Sequence, residues 1–91
     1  MSSPDLTNAE RTAVAEVLAT PVLSMGAQTT SFEQAVCDYS GSAHAIAVNS
    51  GTAGLHLCVR AAGIGPGDLV LTTPFSFVAS SNVLLYENAV P

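Results

Sequence analysis

Lysine is missing altogether from these 91 residues, and so is tryptophan. Arg11 and Arg60 are the only permanent cations, set against seven carboxylates, for a net charge of −5. Two positive side chains cannot neutralise a run of phosphates, so nucleic-acid binding is not expected. No apolar run approaches the ~20 residues needed to cross a bilayer. No basic stretch followed by an apolar one opens the chain in the manner of a signal peptide. The two cysteines, Cys37 and Cys58, lack the spacing of a redox or zinc pair and read as packed, reduced thiols of a cytoplasmic protein. His44 and His56 have no neighbouring cluster of carboxylates or thiols, so no metal site is expected. Charge is scarce as well: charged residues make up 10% and apolar ones 48%, where ~25% charged is usual. Such a chain cannot clothe its own surface. It is expected to form one small domain at most and to bury a face against more polypeptide or a partner.

Residues 43–57 organise what is there. His44 to Val48 is short and apolar with two β-branched positions, and it reads as a buried strand. Asn49-Ser50-Gly51-Thr52 breaks the run. A helical pattern follows over about 52–62, with Leu55, Cys58 or Val59, and Ala62 at spacings of three and four. Strand, polar turn and helix in that order leave the first amides of the helix without backbone partners. Together with the positive end of the helix dipole they form a cradle for an anion. Ser50 and Thr52 add hydroxyls, and Gly51 permits close approach to the backbone. The same residues also suit plain helix capping by Ser50 or Thr52, and the local pattern leaves both readings open.

The remainder supplies the frame. Thr7-Asn8-Ala9-Glu10 has the form of a capping box opening a helix over about 8–19, with Val14, Val17 and Leu18 on one face and Pro21 beyond its end. Residues 22–29 read as a loop. A second box, Thr30-Ser31-Phe32-Glu33, opens a helix over about 31–39 that should bury Phe32, Val36 and Tyr39, with Gly41 as its left-handed terminator. Gly63 ends the third helix in the same way. Ile64-Gly65-Pro66-Gly67-Asp68 fits a type II turn with Gly67 at the positive-φ position, and residues 69–72 read as a second buried strand. Strand, helix, strand predicts a βαβ unit with parallel strands and a right-handed crossover. A fourth helix is expected over about 77–87, with Val78, Ser81, Val83 and Leu84 inward, and residues 88–91 look like the start of a further strand. In open α/β sheets ligands bind beyond the carboxyl ends of the strands, where both 49–52 and 73–77 lie.

These motifs form an ordered series. Phe32-Glu33 precedes a Tyr-Ser-Gly helix end. Then come Ala47-Val48-Asn49-Ser50-Gly51-Thr52-Ala53-Gly54-Leu55-His56-Leu57, Gly63-Ile64-Gly65-Pro66-Gly67-Asp68-Leu69-Val70, Thr73-Pro74-Phe75-Ser76-Phe77-Val78-Ala79 and Asn88-Ala89-Val90-Pro91. From about Leu6 onward the series resembles the amino-terminal quarter of the DegT/StrS family of sugar aminotransferases. These enzymes use pyridoxal phosphate (PLP) on the fold-type-I scaffold. The resemblance implies an α/β fold: residues 1–91 as the amino-terminal part of a three-layer PLP-binding large domain, with the rest of that domain and a C-terminal small domain outside them. It implies that Gly51, Thr52 and Ala53 hold the PLP phosphate through backbone amides and the Thr52 hydroxyl, and that Phe77 stacks on the pyridine ring, the bland reading of Phe77 being an ordinary core residue. Phe75 is left to the core. Residues 22–28 match a region near the substrate entrance.

The implied parent is a cytoplasmic homodimer that moves an amino group from a donor onto a nucleotide-linked keto sugar, in polysaccharide biosynthesis. The family's Schiff-base lysine has no counterpart here, so no residue of this chain is assigned a catalytic role and the chain is expected to be inactive by itself. The alternatives are a non-enzymatic phosphate- or PLP-binding fragment that complements a partner, and a remnant of a PLP-dependent sugar dehydratase of the same family.

Overall fold

The computed structural model describes residues 3–91. It contains four helices, α1 (Asn8–Leu18), α2 (Ala27–Ser40), α3 (Gly51–Ala61) and α4 (Ala79–Tyr86). The chain divides into two compact units, the first ending at Ala47 and the second running from Val48 to Pro91.

In the first unit the Thr7 box forms as its spacing requires. The Ala9 N–H donates to Thr7 Oγ1 at 3.2 Å, and Glu10 Oε2 reaches back to accept from the Thr7 N–H and the Thr7 hydroxyl, each at 2.6 Å. The Thr7 hydroxyl, and after it the Thr7 amide, hold the Glu10 carboxyl below the usual glutamate range. A folded pKa below the unfolded one means that the box stabilises α1 above the ordinary glutamate pKa, and that this contribution fades as pH falls through the lowered value. Thr7→Ala is expected to return the Glu10 pKa toward its ordinary value and to fray the first turn. A carboxyl-carbon NMR titration of Glu10 reads this directly, and an unmoved midpoint would show that the box does not hold in solution.

Helix α2 departs from expectation. It starts at Ala27, four residues before Ser31, on an extended Gly26 with no side-chain cap. The second capping box therefore does not form. Glu33, about two turns into the helix, uses Oε1 to accept the Ala47 N–H at 2.8 Å. A contact between residues this far apart outcompetes the local box because nothing between Ala27 and Thr30 stops the helix from running back to Gly26. At the other end Gly41 adopts φ +73° and its N–H donates to Cys37 O at 2.9 Å, as anticipated. The apolar faces of α1 and α2 are not buried. Val14, Leu18 and Phe32 are about 60% exposed and Tyr39 is 95% exposed. Residues 44–48 form no paired strand.

The second unit carries the core. Helix α3 closes with a Schellman motif: the Gly63 N–H donates to Arg60 O at 3.0 Å, the Ile64 N–H donates to Val59 O at 3.3 Å, and Gly63 sits at φ +73°. The expected turn follows, with Gly67 at φ +83° and the Asp68 N–H donating to Gly65 O at 3.2 Å. Asp68 Oδ2 accepts the Gly65 N–H at 2.8 Å and locks the turn from its far side. Helix α4 begins at Ala79, two residues later than expected. It ends in a second Schellman motif in which Asn88, at φ +57°, takes the left-handed position that glycine usually fills. There the Asn88 N–H donates to Leu85 O and the Ala89 N–H to Leu84 O, both at 3.0 Å.

That reversal brings Val90 beside Leu69 in a parallel bridge. The Val90 N–H donates to Asp68 O at 2.8 Å and the Val70 N–H to Val90 O at 2.9 Å. Val83, Leu84 and Ala89 are buried with Val59, Ile64 and Val70 packed on them, and Ala79 is buried as well. Val83 and Leu84 thus turn inward as expected, whereas Val78 is exposed. Among the described residues the expected α/β character is limited to this bridge. Helix supplies the rest of the regular structure, and Leu69 and Leu71 are exposed.

Candidate functional site

In the second unit α3 and α4 pack against each other, and both begin at one hollow of about 420 Å³. Gly51, Thr52 and Leu55 line it from α3, and Ser76, Phe77, Ala79 and Ser80 from the approach to α4.

The α3 start explains how the two local readings of this turn coexist. Ser50 is the N-cap, extended at φ −161°, and its Oγ accepts the Ala53 N–H at 3.1 Å. Capping thus consumes one amide. The Gly51 and Thr52 N–H groups have no preceding turn to donate into and remain available. A Cβ built on Gly51 would meet no atom within 4 Å, so the glycine borders open space. Thr52 is half-buried and offers its hydroxyl beside those amides.

On the α4 side, Phe77 is 77% exposed, lies outside the buried cluster of this chain and forms a wall of the hollow. Ser80 Oγ donates to Phe77 O at 2.8 Å and fixes the backbone that carries the ring. No lining residue is charged. An anion here would be held by amides, hydroxyls and the partial positive charge of helix N-termini rather than by a cation. An aromatic wall beside such a cradle suits a ligand with both a phosphate and a flat ring, so the residues present fit PLP.

Of the residues singled out from the sequence, Gly51, Thr52 and Phe77 come together on the hollow. Ala53 does not line it, and its amide is spent on Ser50. Phe75 is 97% exposed rather than in the core, because the Thr73–Pro74 turn, where the Phe75 N–H donates to Thr73 Oγ1 at 3.2 Å, directs it outward. Leu55, Ser76, Ala79 and Ser80 were not anticipated. The flanking pattern Phe-Ser-Phe-Val-Ala-Ser carries the signal for the two serines, since hydroxyls cluster where a helix starts. His44 is exposed, and among the described residues no group of three or more histidine, cysteine, aspartate or glutamate side chains could hold a metal ion. Likewise no described helix is long and apolar enough to cross a membrane.

The fold places the chain in the aminotransferase class. Over 97% of its length it superposes, with a TM-score of 0.92 and 33% identity, on 22% of the PLP-form of Spr1654 from Streptococcus pneumoniae, described as a sugar aminotransferase. The apo-form of the same protein matches 99% of the chain with a TM-score of 0.94, and it has also been solved in a PMP-form. The chain belongs to the DegT/DnrJ/EryC1/StrS aminotransferase family, whose model matches residues 4–91. It is 42% identical to GDP-perosamine synthase of Caulobacter vibrioides over an alignment of 92 positions, covering 100% of this chain and 25% of that protein. It is also 42% identical over 78 residues to the spore coat polysaccharide biosynthesis protein SpsC of Bacillus subtilis, covering 86% of this chain and 20% of that one. The chain therefore spans about a quarter of the length of the curated relatives it matches.

Proposed function

We propose that these residues are the amino-terminal part of the PLP-binding large domain of a fold-type-I, nucleotide-sugar aminotransferase, and that their contribution is the phosphate cup and the ring-stacking wall. The observation that carries this reading is the meeting of the Gly51–Thr52 turn and Phe77 on one uncharged, hydroxyl-lined hollow. The Gly51 and Thr52 amides and the Thr52 hydroxyl hold the phosphate. Phe77 would serve as the apolar wall for one face of the ring and would keep water from that face. Ser50 acts through the Ala53 amide, holding the first turn of α3 open toward the anion. Bound PLP supplies an electron sink for bonds at the amino-bearing carbon.

The amine that anchors it comes from a lysine outside these residues, because there is none among them. The parallel bridge between Leu69 and Val90 is read as the first contact of a parallel sheet. The bare apolar faces of the first unit await the remainder of the large domain. The whole protein is read as a cytoplasmic homodimer acting on a nucleotide-linked keto sugar and an amino donor.

The deciding experiment is the intact mass of the protein as its source organism makes it. A mass several times 9.2 kDa, with a lysine downstream that becomes reduced onto PLP by borohydride, is expected. A product of 9.2 kDa without a partner chain carrying that lysine would sink the aminotransferase reading.

A further inference from the structure

The hollow is built where α3 and α4 begin, and a single carboxylate at the far end of α4 ties that helix to the middle and last turn of α3. Glu87 is the C-cap of α4, and its Oε1 pairs with His56 Nε2 at 2.5 Å and lies 3.6 Å from Arg60 Nη1. His56 and Arg60 are four residues apart on α3, so they stand on one face, one turn after the other. The Glu87 side chain is 20% exposed and that of His56 32%, so the hydrogen bond between them is largely withdrawn from competing water. The edge of the Tyr86 ring closes the His56 side, with centroids 5.3 Å apart and planes at 75°.

None of these four residues lines the hollow. Nor does either helix need them to finish itself, because α3 and α4 each close with their own Schellman motif. What the cluster does constrain is how far α3 can slide along α4. Helices are stiff, and His56 stands only about 6 Å along the axis from Thr52. A slip at the clamp is thus delivered almost undiminished to the hollow.

We propose that His56, Glu87 and Arg60 are positioning residues that fix the register of α3 against α4 and so set the spacing between the Gly51–Thr52 turn and Phe77. The inference rests on the reading of the hollow as the PLP site, and the two fail separately. Misplacing a phosphate cup by about 1 Å relative to a stacking wall forfeits geometry rather than contacts. The cost therefore falls on ligands that use both parts at once.

The test uses the full-length protein in three readouts: affinity for PLP, affinity for inorganic phosphate, and amide hydrogen exchange of the cofactor-free protein over 50–55 and 76–81. His56→Ala and Glu87→Ala are each expected to weaken PLP about tenfold, to leave inorganic phosphate within about twofold, and to speed exchange over 76–81. The double variant should be no worse than the poorer single, since either change removes the same pair. Glu87→Gln keeps an acceptor for His56 and should restore part of the affinity. If exchange rises only around 84–90 while PLP binds as in the parent, the cluster is a local staple and the inference is overturned. Strictly additive losses overturn it as well. Thr52→Ala and Phe77→Ala separate the two ideas. If they leave PLP affinity untouched while the clamp variants still loosen 76–81, the reading of the hollow falls and the clamp stands. If they weaken PLP and the clamp variants do not, the clamp falls and the hollow stands.

Discussion

Leu84→Ala is expected to cost about 2–5 kcal/mol of unfolding free energy, enough to unfold the second unit of the chain. Leu84 is 3% exposed and sits with Val83 and Ala89 at the centre of the only buried cluster among the described residues. Its carbonyl also receives the N–H groups of Glu87 and Ala89, so the residue joins the core to the reversal that carries Val90 back beside Leu69. Truncation leaves a cavity under that reversal, and its two buried neighbours, Val83 and Ala89, cannot collapse far enough to fill it. The contrast is Leu85→Ala, one position along α4, where the side chain is 54% exposed. That change should stay within about 0.5–1 kcal/mol. Urea unfolding of the 91-residue chain, followed by far-ultraviolet circular dichroism, distinguishes the two. Equal losses at both positions would mean that α4 does not present the face described here. The effect is large because the total is small: a chain this short has only about 5 kcal/mol or less to lose.

The same core shows which parts of the fold were legible in the sequence. Helix ends marked by short-range chemistry were: the Thr7–Glu10 box, Ser50 before α3, the left-handed glycines at 41, 63 and 67, and the Pro66–Gly67 turn all act within a few residues. The start of α2 was not, because Gly26 stands in ordinary extended backbone and nothing local distinguishes it, while Glu33 finds its partner fourteen residues away. The reversal at Asn88 was missed for a related reason. Asparagine tolerates positive φ but does not announce it as glycine does, and so the pairing of Leu69 with Val90 could be guessed only as the start of a strand. Strands are the least local elements of all. Residues 44–48 have the composition of a buried strand, yet pairing is a property of what lies alongside, and the periodicity of one segment carries no information about its neighbour.

The site was more legible than the sheet because it is assembled from helix starts. A polar turn before a helix exposes amides wherever the helix is placed, so Gly51 and Thr52 could be named from 49–52 alone. That the amide of Ala53 is consumed by Ser50 required the rotamer of Ser50, which the sequence does not contain. Phe77 could be named only through the family resemblance. Exposure alone does not single it out, since Phe75 is barer still at 97%; what distinguishes Phe77, at 77%, is its place on the wall of the hollow.

From this follows the second large effect, on the cofactor. In the full-length protein Thr52→Ala is expected to weaken PLP binding by roughly 10–100-fold, the worth of about 1.5–3 kcal/mol for a hydrogen bond to a charged acceptor. The amides of Gly51 and Thr52 survive that change, so the loss should be partial and should appear equally with inorganic phosphate. Phe77→Ala acts on the other half of the ligand. It removes a stacking contact of about 0.5–1.5 kcal/mol together with the apolar area the ring covers, for an expected loss of at least tenfold with PLP and none with inorganic phosphate. Phe77→Tyr keeps the platform and should bind nearly as the parent does. Phe75→Ala, at a neighbouring aromatic that is more exposed than Phe77 but lies off the hollow, should leave both ligands unaffected. Fluorescence titration of the cofactor-free protein measures all four variants against both ligands. The pattern matters more than any one value: phosphate sensitivity confined to Thr52 and ring sensitivity confined to Phe77 is what a divided site requires, because each half touches a different part of one molecule. If Phe75 and Phe77 behave alike, the aromatic wall is not a wall, and the hollow would hold an anion without orienting a ring.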